Sequence, residues 1–241
     1  WWDATLANVV RNIERSSHLE RIDLRHDVGP GGRGVRGAFQ RLDSTIPGDY
    51  LIFWSISAKI RRCMRDAPEA TCTPKRGKEI SALKLWNKRQ RLLVAAKINT
   101  VSGRLTALFS EESSIGSLWI PVGVNSEHQA QALAAWWNTT PVRLMLLNHR
   151  AKMLTYPTWS LQQLREIRIP RPENPAWDAL ADAWHEACDI ELLPMKHAPK
   201  CKARRIIDRA AAIALGIDEA ELAEWRERLA KEPTITNRPA A

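Results

Sequence analysis

The sequence predicts an α+β fold, with a mixed sheet-containing domain over residues 1–172 and a helical C-terminal region over residues 173–241. Three observations predict it. Short runs rich in β-branched and aromatic residues, bounded by Gly, Pro and Asn, fill the middle of the chain. Helical patterns with apolar residues three and four apart lie around them and take over after Asn174. Pro170 and Pro172 mark the junction between the two regions.

Each element has a local reason. Leu6, Val9, Val10 and Ile13 lie at helical spacing and predict a helix within residues 1–20. The stretch Gly29–Gly37 reads as a flexible surface loop; it lacks the GxxxxGK[ST] order of a phosphate loop, though Arg33 and Arg36 within it suit a phosphate backbone. YLIFWSIS (50–57) predicts a buried strand after the turn Pro47-Gly48-Asp49. Pro68, Pro74 and Gly77 predict an exposed basic loop over 65–78. Residues 91–98, 104–110 and 117–122 predict three strands, the first two joined by a turn at 99–103. Ser126 is a helix N-cap, Asn138-Thr139-Thr140-Pro141 breaks that helix near Trp137, and a second helix starts there, with Thr140 as cap, and runs to about Arg150. Ser160 and Gln163 form a capping box for a short helix, and 165–172 form a strand. Helices are expected near 175–191, 199–215 and 219–230, with Gly216 stopping the second and Asp218 and Glu221 capping the third. Pro233 and the polar tail are expected to end the domain.

Composition narrows the function classes. Hydrophobic residues make up 44% of the 241, enough for a folded core. No apolar run approaches the roughly 20 residues needed to cross a bilayer, so no membrane partner is expected. The chain starts at Trp1 without a methionine or a signal-peptide pattern, and is expected to be part of a longer protein. Four cysteines fit a reducing, cytoplasmic setting. Cys188, His197 and Cys201 are a conceivable metal cluster; idle or buried thiols are the plainer reading.

The formal net charge is +9, and one segment carries the surplus. Residues 59–104 hold thirteen Lys and Arg against three acids, whereas 1–58 are balanced, 105–171 are net +2 and 172–241 are net −3. Clustered cations raise the local potential and attract phosphate. The bland alternative is a solvated basic face without a partner.

Catalytic patterns do not occur. No acidic residue is followed two positions later by Lys, as in metal-dependent restriction-type nucleases. His185-Glu186 lacks the second histidine of a zinc protease, and there is no G-x-S-x-G elbow. Asn174-Pro175-Ala176-Trp177 only brushes the [DNS]-P-P-[YFW] loop of amino-methyltransferases, and it opens a helix. No glycine-rich turn is suited to S-adenosylmethionine, so no cofactor and no catalytic residue are expected within the chain. Of the eleven tryptophans, Trp136, Trp177, Trp184 and Trp225 fall on apolar helix faces. Trp159, in a polar loop near Arg150 and Lys152, either packs beneath that loop or stacks on a nucleotide.

GSLWIPV (116–122), EHQAQALAAWWNTTPVRLMLLNHR (127–150) and YPTWSLQQLREIRIPRP (156–172) together resemble the target-recognition region of adenine-specific DNA methyltransferases of restriction-modification and phage-defence systems. DYLIFWSISAKIRRCM (49–64) resembles an upstream part of that region, with Leu51 where the family has proline, and DRAAAIALGIDEAELAEWRERLAKEP (208–233) resembles its closing segment. The resemblance implies double-stranded DNA as ligand and a catalytic methyltransferase domain, using S-adenosylmethionine, upstream in a parent chain. Lys and Arg are then expected to hold phosphates and a few side chains to read bases. Arg61, Arg62, Lys75, Arg76, Lys78, Lys88, Arg89, Arg91, Arg104, Arg150, Lys152 and Trp159 are the expected DNA contacts. A nuclease with a dispersed site and a scaffold domain that meets an acidic protein are the rival readings; RNA binding is disfavoured because no RNP-type aromatic motif occurs.

Overall fold

The structure, a computed structural model, describes residues 3–21, 33–43, 48–57, 59–98, 101, 103–149 and 166–236. Two hydrophobic cores organise them. The fold is α+β with small antiparallel sheets and a helical C-terminal region.

The large lobe opens with helix α1 (Ala4–Arg15), capped by the Asp3 carboxylate on the Thr5 and Leu6 amides. Its buried stripe is Leu6, Val9, Val10 and Ile13, as the spacing predicts. The chain then turns into β1 (Leu19–Arg21) instead of extending the helix to residue 20. The central sheet of this lobe contains β5 (Gln90–Ala95), flanked by β6 (Ala107–Ser114) and β7 (Trp119–Val122). Helices α4 (Glu127–Trp136) and α5 (Thr140–Asn148) follow, the first capped by Ser126 on the Gln129 amide at 3.1 Å. Strand β8 (Arg168–Pro170) pairs antiparallel with β1, so residues near the start of the chain meet residues near 170. Helices α6 (Ala176–Ala187), α7 (Lys202–Leu215), α8 (Glu219–Lys231) and a last turn α9 (Pro233–Thr236) complete the lobe. Gly216 ends α7 in the left-handed conformation at φ 66°, and Asp218 caps α8. The domain runs past Pro233, because Ile235 is fully buried. Leu6, Leu93, Leu133, Leu180 and Leu222 all belong to this one core, so the expected boundary at residue 172 runs through it.

The break between α4 and α5 is a buried polar knot. The Asn138 amide donates to Ala107 O (2.7 Å) and Ala134 O (2.8 Å), and its Oδ1 accepts from the Thr106 amide (2.7 Å). Thr140, expected as a cap, instead points its N–H and its hydroxyl at Asp208 of α7, at 2.8 and 2.7 Å. Thr139 takes the cap position. Asp208 also pairs with Arg226 of α8 at 2.9 Å. Burial, with Arg204 alongside, pulls the Arg143 guanidinium down to about 9. The Asn-Thr-Thr sequence therefore ties β6, α4, α5, α7 and α8 together through groups that water cannot satisfy.

The small lobe is a three-stranded antiparallel sheet with β4 (Ala70–Pro74) between β2 (Phe39–Arg41) and β3 (Tyr50–Ile52), packed with α2 (Arg33–Ala38) and α3 (Glu79–Trp86). Its core holds Val35, Ala38, Phe39, Ile52, Ala70, Cys72, Ala82 and Ile115. Phe39, Tyr50 and Trp86 extend it as edge-to-face pairs, with centroids 5.2 and 5.0 Å apart. Three sequence expectations change here. The loop predicted at 65–78 contains the central strand β4, because Ala70 and Cys72 face inward between two partners. The glycine stretch closes into α2 from Arg33 onward. The strand at 50–57 stops at Ile52, and Phe53 forms only an isolated bridge to Gly116.

Candidate nucleic-acid interface

Eleven of the thirteen cations of the basic segment fall into two populations once it is folded; Lys59 and Lys97, elsewhere on the chain, have no carboxylate within 4 Å among the described residues. The first is paired. Arg61 is 2% exposed; it donates to Ser55 O and Ala67 O, pairs with Asp66 at 2.8 Å and with Glu69, and stacks over Phe53. Burial lowers its pKa, and the hydrogen bond that it donates to Asp66 opposes this. Arg61 thus pins the 55–69 loop and does not face outward, contrary to its place among the expected DNA contacts. Arg91 pairs with Glu111 at 3.0 Å and with Glu127, and lies over Phe109. Arg104 pairs with Glu191, and Arg62, more exposed, lies 3.7 Å from the same carboxylate. Arg65 reaches Asp189 at 3.3 Å and lies over Trp184. Glu111, Glu127, Asp189 and Glu191 all come from outside residues 59–104.

The second population is unpaired. Lys75, Arg76, Lys78, Lys84, Lys88 and Arg89 are exposed, and none has a carboxylate within 4 Å among the described residues. Lys75, Arg76 and Lys78 lie around the turn into α3, Lys84 on that helix, and Lys88 and Arg89 just past its end. The turn is built by Gly77 at φ 73°, a conformation that favours glycine, with the Lys78 amide bonded to Lys75 O at 2.9 Å. Glu79 stands at the N-terminus of α3, where its carboxylate accepts from the Gly77 amide at 3.0 Å. Backbone hydrogen bonds from Glu79 itself and from Gly77 lower its pKa. Lys75 also reaches back to Arg36 O at 2.8 Å, and Arg89 lies over the Trp86 ring.

Two concave features are lined by cations. A shallow groove of about 510 Å³ runs between α2 and α3, lined by Gly34, Gly37, Lys78, Ser81, Lys84 and Lys88. A Cβ added at Gly37 would meet nothing within 4 Å, so a ligand has free access to that backbone. A cleft of about 470 Å³ opens between the lobes, lined in part by Arg36, Arg41, Trp54, Lys97 and Arg104. No acid occurs among the described residues that line either feature. A cationic rim, bare glycine backbone and a tryptophan wall suit a phosphodiester chain.

Asn174, in the sequence that brushed a methylase loop, is structural. It is 8% exposed, and its amide bridges His18 O (3.3 Å) and Ala214 O (3.0 Å). Trp136, Trp184 and Trp225 are buried and Trp177 packs partly against the same core, as their helical spacing predicts. Arg150, Lys152, Trp159 and the capping box at Ser160 lie outside the described residues. Helix α3 and the inter-lobe cleft were missed by the sequence reading. Apolar residues at 80, 82, 83, 85 and 86 surround α3 and hide its helical period. Pairing of distant segments makes the cleft.

No family model matches the chain, and no curated protein matches it in sequence. Its fold is similar to part of the crystal structure of the type IIG restriction endonuclease BpuSI, with a TM-score of 0.57 at 10% identity, over 94% of this chain and 33% of that chain. The chain therefore spans about a third of that protein's length, and at 10% identity the likeness is one of fold.

Proposed function

We propose that this chain is a duplex-DNA recognition module of a restriction-modification enzyme, corresponding to the target-recognition region of an adenine-specific methyltransferase. Six unpaired cations gathered on one small lobe carry this reading. They stand apart from the five arginines of the basic segment that the fold pairs with carboxylates, and phosphate is their natural counter-charge. The fold shared with a third of a restriction endonuclease supports the same context. Lys78, Lys84 and Lys88 hold one strand along the α2–α3 groove, with Lys75, Arg76 and Arg89 at its ends. The inter-lobe cleft, with Arg36, Arg41 and Lys97, extends the positive track. Methyl transfer, with S-adenosylmethionine, belongs to the parent enzyme.

The test is duplex binding by the 241-residue chain across a salt series. With about six phosphate contacts, log K is expected to fall with log[salt] at a slope of about −5. Binding that ignores ionic strength, or cleavage of the duplex on adding Mg²⁺, would overturn the proposal.

A further inference from the structure

Helix α3 carries a feature that phosphate binding does not require. Ile80 is 73% exposed and Leu83 52% exposed, one turn apart on an eight-residue helix. Among the described residues only Leu51, Ile60 and Ile213 are comparably exposed large hydrophobics, each on a different element or loop. Ile80, Leu83, Lys84 and Asn87 follow the i, i+3, i+4, i+7 spacing of one helix face, and all four are exposed. The opposite face is anchored: Ala82 is fully buried, and Leu85 and Trp86 pack on the small-lobe core. The exposed face is therefore held in a fixed orientation.

Its chemistry is that of a base reader. Aliphatic side chains match the thymine 5-methyl group in the major groove, an asparagine amide matches adenine N6 and N7, and a lysine matches guanine O6 and N7. Lys78, Lys84 and Lys88 line the neighbouring α2–α3 groove, where one phosphate strand would run, so the same helix has a strand-holding edge beside an apolar one. We infer that α3 enters the major groove and that Ile80 and Leu83 contact thymine methyl groups, making this helix a specificity-determining element. The inference rests on the duplex-binding reading above. A protein partner for the apolar pair is disfavoured by the six unpaired cations around it, which would be desolvated without a counter-charge.

The experiment selects bound duplexes from a random library with the wild-type chain and with the I80A/L83A double variant. The selected site is then rebuilt with deoxyuridine in place of thymidine, which deletes only the 5-methyl groups. Loss of one buried methyl is worth about 0.8 kcal/mol, or roughly fourfold in affinity. The wild-type chain is expected to lose about fourfold per contacted methyl. The variant, with an unchanged melting temperature, is expected to bind thymidine and deoxyuridine sites equally and to retain its salt-dependent binding to unselected DNA. If both proteins select the same site, or lose equally on deoxyuridine substitution, α3 is not the reader. If the wild type shows no loss, or if the substitutions abolish self-association measured by light scattering while selection persists, the inference also fails. Absence of any duplex binding by the wild type would instead overturn the duplex-binding reading itself.

Discussion

The two lobes use the same residue types for opposite purposes. In the large lobe the arginines of the basic segment are folded against carboxylates: Arg91 on Glu111 and Glu127, Arg104 on Glu191, Arg65 on Asp189. In the small lobe the lysines and arginines around α3 have no such partners among the described residues. The cores differ as sharply, with eight buried hydrophobics in the small lobe and fifty-six in the large one among the described residues. A small core carrying unopposed like charges opens more easily than a large core laced by ion pairs. If a polyanion binds the small lobe, its binding would raise the stability of the lobe with the smaller core.

Breaking the large lobe should have the greatest effect on stability. Asp208→Ala removes the partner of Arg226 and the acceptor for both donors of Thr140, at a site 1% exposed. A loss of about 3–5 kcal/mol is expected, because a buried charge is left unpaired. Urea denaturation of the variant checks this; a loss under about 1 kcal/mol would mean that the knot does not hold the helices together.

Charge changes in the two populations should separate binding from stability. The triple variant K75E/R76E/K78E is expected to keep its melting temperature and to weaken duplex binding, with the salt slope reduced by about 2.7 units. Arg61→Met is expected to do the reverse. It leaves Asp66 and Glu69 without their cation and should cost about 2 kcal/mol, after discounting the buried-pair value for their partial exposure, with the salt slope intact. Equal salt slopes for the triple variant and the wild type would remove the distinction.

Thiol labelling reads the two cores separately. Cys72 lies in the centre of the small sheet and Cys201 in the large core, both fully buried and free. Burial pushes the Cys72 thiol up to about 11, so at pH 8 only about one molecule in a thousand carries the reactive thiolate while the lobe is closed. A thiol whose pKa rises on folding stabilises the folded state below its unfolded pKa, and that contribution is lost as pH climbs from about 8.5 towards the folded value. Cys72 is therefore expected to label before Cys201, with the gap widening above pH 9. Simultaneous labelling would show that the lobes open as one unit.

The smallest effects concern two glycines. Gly216→Ala, at φ 66° with His18 Nε2 3.2 Å from the new Cβ, is expected to cost more than Gly77→Ala, where φ is 73° but the space is open. Both should lie near 1 kcal/mol by thermal melting. Gly77→Ala alone should also weaken duplex binding, since that turn aims α3.

Much of the large lobe was legible in the sequence because its elements carry their own signals. The stripe of α1, the Ser126 cap, the Gly216 stop and the Asp218 cap are encoded within a turn or two of chain, and each is found where the spacing places it. The small lobe was less legible. Strand β4 has Pro74 and Gly77 at its end and reads as loop, and it becomes a central strand only because β2 and β3 close on it from either side. For α3, the residues that blur its helical period are the exposed Ile80 and Leu83.

The sequence by itself determined the α+β class, the helical C-terminal region and a surplus of positive charge confined to residues 59–104. Only the tertiary structure decided which of those charges are paired with carboxylates. Net charge is a sum along the chain, whereas electrostatic potential depends on separations of a few ångströms. Carboxylates at 111, 127, 189 and 191, remote in sequence, come within reach of the arginines at 62, 65, 91 and 104, while the cations around α3 have no ion-pair partner among the described residues.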